Sequence, residues 1–236
     1  MPQIVYTDYY SHILGRSLKV EVTGHWGYPI LMFPTTKGQF IQNRDFGLND
    51  SVQWFTNNGL IKLYNIETLD AENIYNKSIH PNERVWRYHL YHQFLTQEYV
   101  PYLQRENNTH TIATAGCSFG GYHAANFGFR NPGIVSHIFS MSGAFSIRDF
   151  VKGGDSDLIF FHSPDEFMRN EQSWRYNHLW VILGTTDRDA LRPDNRQMAD
   201  ILSERRIKHW YDEKKWANHD WPIWLKMFPE YLGKFF

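Results

Sequence analysis

The chain has 236 residues, of which 42% are hydrophobic and 21% are charged, a composition typical of a globular protein with a sizeable core. Because 24 Lys and Arg face 25 Asp and Glu, the formal net charge is −1, which argues against a nucleic-acid or membrane partner. The only cysteine, Cys117, excludes an intrachain disulfide and a multi-cysteine metal site, and we expect it to be a packed core thiol.

The N-terminal sequence shows no basic stretch followed by an apolar core, so no signal peptide is predicted. The densest apolar run, residues 28–33, is far shorter than the ~18 residues needed to span a bilayer. We therefore expect a cytoplasmic protein. The aromatic content of 17% is compatible with a homo-oligomer interface as well as with an aromatic core.

Short β-rich runs alternate along the chain with longer amphipathic stretches, which favours a mostly parallel sheet flanked by helices. The first two runs alternate polar and apolar residues and predict an antiparallel edge pair over residues 3–9 and 17–22. Five nearly continuous apolar runs predict strands covered on both faces, and a more mixed run predicts a last strand. These six lie at residues 29–33, 60–66, 111–115, 135–141, 179–183 and 207–211.

Five helices are expected, at about residues 45–57, 82–104, 120–130, 194–205 and 220–232. The whole chain, residues 1–236, is therefore predicted to be a single α/β domain with an eight-stranded, mostly parallel sheet and helices on both faces. In such a fold, ligands bind at the carboxyl ends of the strands.

A nucleophile turn is predicted where the fifth strand ends. Residues 116–120 form the pattern G-x-S-x-G, between a predicted strand and a predicted helix. The turn is so sharp that its central residue needs a strained backbone, and the flanking glycines remove side chains that would clash. Ser118 is therefore the candidate nucleophile.

A serine hydroxyl needs a base to take its proton and a carboxylate to orient that base. In this fold the acid and then the histidine follow the serine along the chain. Asp187 directly follows the seventh strand and is the predicted acid, with Asp189 as the alternative. His219 lies in a loop after the last strand and is the predicted base, whereas His209 falls within that strand.

The oxyanion of a tetrahedral intermediate needs two backbone N–H groups. One is expected from Phe119, the residue after the nucleophile. The other should come from the loop after the third strand, where Pro34 has no N–H; Thr36 is our choice and Thr35 the alternative.

With these residues placed, the chain resembles the esterase D-like ("putative esterase") family of α/β hydrolases, and most closely a compact bacterial branch that lacks a large cap domain. The matching segments cover nearly the whole chain. They are residues 33–36 (FPTT), 75–81 (YNKSIHP), 116–121 (GCSFGG), 160–164 (FFHSP), 184–187 (GTTD) with 195–196 (NR), and 219–224 (HDWPIW).

The resemblance implies an α/β-hydrolase fold and a Ser–Asp–His esterase, in agreement with the order of residues found above. With no cap domain, we expect a carboxylesterase that hydrolyses short- to medium-chain esters of small alcohols through an acyl-enzyme on Ser118. An acyltransferase with the same triad, and a non-catalytic binding protein on this scaffold, are the alternatives.

Three further features carry weaker expectations. Residues 75–80 could line the pocket or only cap the next helix. Residues 142–177 could form one wall of the pocket or only pack against the core. His89 and His92 have a spacing that can hold a metal, but no third ligand is in view, so no metal is predicted. Because neither a glycine-rich dinucleotide turn nor a phosphate-binding lysine motif occurs, no cofactor is predicted.

Overall fold

A single eight-stranded sheet runs through residues 3–236, the part of the chain that the computed structural model describes. All eight strands predicted from the sequence form. They are β1 (Ile4–Ser11), β2 (Arg16–Thr23), β3 (Tyr28–Phe33), β4 (Ile61–Ile66), β5 (Ile112–Cys117), β6 (Val135–Met141), β7 (Trp180–Thr186) and β8 (His209–Lys214).

The strand order is β1-β2-β4-β3-β5-β6-β7-β8. Strand β1 pairs antiparallel with β2, and β2 pairs antiparallel with β4, as expected for an edge formed by a hairpin. From β4 to β8 all neighbours are parallel. The carboxyl ends of β5, β7 and β8 therefore lie at one edge of the sheet, where the predicted site residues follow them.

In residues 3–236, ten α-helices surround the sheet. They are α1 (Gln42–Asp45), α2 (Leu48–Ser51), α3 (Gln53–Asn57), α4 (Pro81–Phe94), α5 (Val100–Glu106), α6 (Phe119–Arg130), α7 (Leu158–Phe161), α8 (Pro164–Phe167), α9 (Arg192–Glu204) and α10 (Trp221–Leu232). Within residues 3–236, none of them is long and apolar enough to cross a membrane.

Two predicted helices are divided in the structure. The stretch expected at 45–57 forms α1, α2 and α3, and Gly47 between the first two has φ of 81°. The long helix expected at 82–104 is interrupted by a π-helical turn at Leu95–Tyr99. Pro101 follows this turn, and its missing N–H and its ring are incompatible with regular α-helical bonding one turn earlier.

Apolar side chains cover both faces of the sheet. On one face, α4, α5, α6 and α9 pack over residues such as Leu31 and Val181. On the other, α2, α3 and α10 pack over residues such as Ile30 and Ile182. Residues 142–177 form short helices and turns against the first face, and no separate cap domain is present in residues 3–236.

Helix α6 occupies the centre of this arrangement. It packs directly on β5 and β6, and every residue from Phe119 to Phe129 is buried. Only Arg130, the last residue of the helix, is half-buried. The strand before α6 is buried along its whole length as well, so the turn between them is held rigidly from both sides.

Candidate active site

The turn between β5 and α6 holds Ser118 in a backbone conformation that side chains rarely adopt, with φ of 56° and ψ of −122°. Such a turn leaves no space for neighbouring side chains. A Cβ atom on Gly116 would lie 2.4 Å from the carbonyl carbon of Gly120, and one on Gly120 would lie 2.5 Å from the carbonyl oxygen of Phe33. The two glycines are therefore required for the hydroxyl of Ser118 to project above the sheet.

His219 lies where the sequence placed it, between β8 and α10. Its Nε2 atom is 2.9 Å from Oγ of Ser118. Its ring packs edge-on against Trp224 of α10, with the ring centroids 5.1 Å apart and the planes at 85°. The structure thus brings the predicted nucleophile and the predicted base into hydrogen-bonding contact, although they are 101 residues apart in the chain.

The carboxylate that contacts His219 is that of Asp189. The prediction that Asp187 orients the base was therefore wrong, and the alternative, Asp189, is the residue observed there. Nδ1 of His219 lies 2.9 Å from Oδ1 of Asp189, whose side chain is fully buried. Strand β7 continues to Thr186, three residues past its predicted end. Asp187 is still paired with the end of β8, because its N–H donates to the carbonyl oxygen of Lys214. The carboxylate that reaches His219 therefore comes from two residues further along the chain, at Asp189.

Asp187 instead holds the loop that carries His219. Its two carboxylate oxygens accept the N–H groups of Trp216, at 3.1 Å, and Ala217, at 3.4 Å. These hydrogen bonds, from Trp216 first, lower the pKa of Asp187. Since Trp216 has φ of 59°, the Asp187 carboxylate stabilises a turn that the backbone would not favour alone.

The surroundings of Asp189 keep it ionised. Burial alone would raise the pKa of Asp189, but hydrogen bonds from His219, from Ser142 and from the N–H of Leu191 lower it below its usual value. Ser142 is in turn fixed by the indole Nε1–H of Trp224, which donates to its hydroxyl at 3.0 Å. Sequence reasoning did not identify Ser142; its only signal is its place directly after β6.

Two backbone N–H groups in the segments that follow the neighbouring strands β3 and β5 meet no acceptor in residues 3–236. Phe119 is the first residue of α6, so its N–H has no acceptor within the helix. In the loop after β3, the N–H of Thr35 donates to Oε1 of Gln42 at 2.8 Å, whereas that of Thr36 meets no acceptor in residues 3–236. This arrangement favours Thr36 over Thr35 as the second donor. Gln42 had no signal in the sequence.

An aromatic cluster lies beside these N–H groups. The rings of Tyr75, Phe119 and Phe150 lie 5.1 to 5.4 Å from one another. The hydroxyl of Tyr75 is 3.3 Å from Oγ1 of Thr36. Each of the two segments whose role the sequence left open thus supplies one ring next to the site. His80, by contrast, caps α4 by accepting the N–H of Asn82.

No group of three or more His, Cys, Asp or Glu side chains within residues 3–236 is arranged to hold a metal ion. Cys117, beside the nucleophile, is fully buried, and burial raises the pKa of its thiol well above the usual value. It faces the core, as expected.

Known structures share this architecture at low sequence identity. A ferulic acid esterase superposes with a TM-score of 0.76 and 15% identity, over 97% of this chain and 96% of its own. An S-formylglutathione hydrolase from Agrobacterium tumefaciens gives 0.77 and 11%, over 99% and 94%. One from Staphylococcus aureus gives 0.71 and 12%, over 99% and 96%. At these identities the likeness establishes the α/β-hydrolase fold.

The sequence itself establishes the family. The family model described as "Putative esterase" matches residues 67–235, which is most of the chain. No curated protein sequence matches this chain significantly. The chain belongs to this esterase family, as the resemblance in its motifs predicted. Family and fold together support the hydrolysis of carboxylic esters.

Proposed function

We propose that the protein is a serine carboxylesterase that works through an acyl-enzyme on Ser118. The observation that carries this proposal is the continuous chain of hydrogen-bonding contacts Ser118–His219–Asp189, with both distances at 2.9 Å. The buried Asp189 carboxylate accepts the Nδ1–H of His219 and so leaves Nε2 free to take a proton from Ser118.

The reaction then follows from the positions of these groups. Ser118 attacks the ester carbonyl while His219 accepts its proton, and the N–H groups of Phe119 and Thr36 bind the oxyanion of the tetrahedral intermediate. As this intermediate collapses, His219 donates the proton to the leaving alcohol. A water molecule, deprotonated by His219, next attacks the acyl-enzyme and releases the acid.

Short- to medium-chain acyl groups on small alcohols are the proposed substrates. No cap domain in the described chain encloses the space above Ser118, and the cluster of Tyr75, Phe119 and Phe150 offers an apolar surface at one side of it. The small-molecule ester itself and the cytoplasmic location stay predictions from the sequence, and the aromatic content stays compatible with a homo-oligomer as well as with an aromatic core.

The direct test is hydrolysis of p-nitrophenyl acetate, butyrate and octanoate by the wild type and by Ser118→Ala. We expect activity on the two shorter esters and its loss in the variant. Ser203→Ala is a matched control, since Ser203 also contacts a histidine, with Oγ 3.3 Å from Nε2 of His209, but lies exposed on α9. It should retain full activity.

A fluorophosphonate probe separates the alternatives. A wild type that neither hydrolyses the esters nor is labelled on Ser118 would contradict the proposal and favour a non-catalytic binding protein. If the wild type is active, adding acceptor alcohols and measuring the transesterified product tests whether an alcohol competes with water, as it would in an acyltransferase.

A further inference from the structure

A polar cavity lies at the C-terminal end of α6, away from Ser118. It measures about 220 Å³ and opens between α4 and the last turn of α6. The side chains that line it are two histidines, one arginine, three amides and a hydroxyl, with no carboxylate among them. They are His89, His92, Gln93, Thr96, Gln97, Arg130 and Asn131. Since α6 has 12 residues that each rise ~1.5 Å, this cavity is about 18 Å from the turn at Ser118.

Arg130 carries a positive charge that no carboxylate of residues 3–236 balances. Its guanidinium is half-buried, and no Asp or Glu side chain in residues 3–236 lies within ion-pair distance of it. Its Nη1 atom instead lies 2.9 Å from each ring nitrogen of His162. Burial lowers the pKa of Arg130, but a guanidinium stays protonated in proteins. A buried charge with no partner is costly, and an anion would remove that cost.

His92 adds an unpaired ring nitrogen to the same cavity. His92 is only 5% exposed, and its Nε2 atom has no hydrogen-bond partner in the described chain. The ring of His89 is already engaged: its Nδ1 lies 3.2 Å from Nε2 of His162, and its Nε2 lies 3.2 Å from Nε2 of Gln93. Burial first, and then the charge of Arg130, lower the pKa of His89 and of His92, which favours the neutral form of both rings. The same charge disfavours a metal cation here.

We propose that this cavity binds a tetrahedral oxyanion, namely phosphate or the phosphoryl group of a small molecule, with Arg130 as the charged contact and His92 as a further hydrogen-bond partner, while His89 lines the cavity beside them. Arginine suits this role because its planar fork of N–H groups matches the oxygens of a phosphate. A site of this kind is independent of the ester chemistry at Ser118 and stands whether or not the chain hydrolyses esters.

Calorimetric titration of the wild type with inorganic phosphate, phenyl phosphate and acetate tests the proposal. We expect saturable binding of phosphate with one site per chain, at least about tenfold tighter than acetate, because a dianion pairs more strongly with a guanidinium. Arg130→Gln should weaken phosphate binding by about tenfold or more. If phenyl phosphate binds more tightly than phosphate, the ligand is a phosphoryl group on a larger molecule; the reverse order indicates the free ion.

Arg105→Gln is the matched control, because Arg105 also lies in the last turn of a helix but is exposed and outside the cavity. It should bind phosphate like the wild type. Imidazole resonances of His89 and His92 should shift during the phosphate titration in the wild type and stay in place in Arg130→Gln, a readout that a purely structural Arg130 would not give. The proposal would be overturned if the wild type did not bind phosphate. It would also be overturned if Arg130→Gln, shown by circular dichroism to be folded, bound phosphate as tightly as the wild type.

Discussion

Replacing Asp189 and Asp187 separately by Asn distinguishes the carboxylate that contacts the imidazole of His219 from the one that holds the loop carrying His219. Oδ1 of Asp189 accepts both the N–H of Leu191, at 2.8 Å, and Nδ1–H of His219. The amide oxygen of Asp189→Asn can occupy the same place, while its NH2 group replaces Oδ2, which lies 3.5 Å from the hydroxyl of Thr185. The variant should therefore keep the orientation of the imidazole and lose only the charge.

The size of the effect follows from that lost charge. A carboxylate and an imidazolium about 4 Å apart, at an effective dielectric constant near 20, attract each other by about 4 kcal/mol. Removing this attraction from the transition state lowers kcat by about a thousandfold. Asp187→Asn keeps an acceptor for the N–H of Trp216 or Ala217 and should lower kcat by less than about tenfold.

Both variants are assayed with p-nitrophenyl butyrate, with active sites counted by fluorophosphonate labelling and thermal unfolding measured in parallel. KM should change little in Asp189→Asn, since the lost interaction strengthens in the transition state. Equal losses in the two variants, or a larger loss in Asp187→Asn, would refute the assignment of Asp189.

Three other predictions concern stability and are measured by urea denaturation. Gly120→Ala should cost about 2–4 kcal/mol, because its Cβ would lie 2.5 Å from a main-chain oxygen at the end of β3; a cost below about 0.5 kcal/mol would contradict this close packing. Burial raises the pKa of Glu21 from 4.5 to about 7, so its stabilising contribution is complete below pH 4.5 and is lost as the pH rises through 7. A pKa change of this size is worth about 3 kcal/mol, and the variant also loses the contact of Oε2 with Nη1 of Arg44 at 3.0 Å. Glu21→Gln should therefore stabilise the fold at pH 8.5 by about 1–3 kcal/mol and have little effect at pH 4, and a pH-independent difference would be inconsistent with that shift. Asp70→Ala should cost about 2–4 kcal/mol, because it removes the acceptor of both the buried His123, at 2.9 Å, and the N–H of Lys37; a change near zero would show that this pair is dispensable.

Much of the fold could be predicted because its signals are local. The alternation in β1 and β2 marks an edge, and the continuous apolar runs of the central strands mark burial on both faces. The pattern around Ser118 predicts a turn because its glycines and its place between strand and helix follow from adjacent residues. The position of His219 follows from chain order alone.

The features that sequence reasoning missed depend on contacts between distant segments. Strand β7 continues to Thr186 because β8 pairs with it up to Lys214, and no residue near 183 shows this. The choice between Asp187 and Asp189 depended on that end point. Gln42, which takes the N–H of Thr35, lies in a short helix whose position depends on the packing of α10 against α2.

The complete burial of α6 has a consequence for how the sequence can vary. On α9, the buried residues Asn195, Met198, Ala199, Ile201 and Leu202 alternate with exposed ones, so substitutions should be tolerated with a helical period. Along α6 no exposed position interrupts the run from Phe119 to Phe129. A saturation-mutagenesis profile of this helix should thus show an unbroken block of intolerance, in which residues needed for chemistry and residues needed for packing look alike.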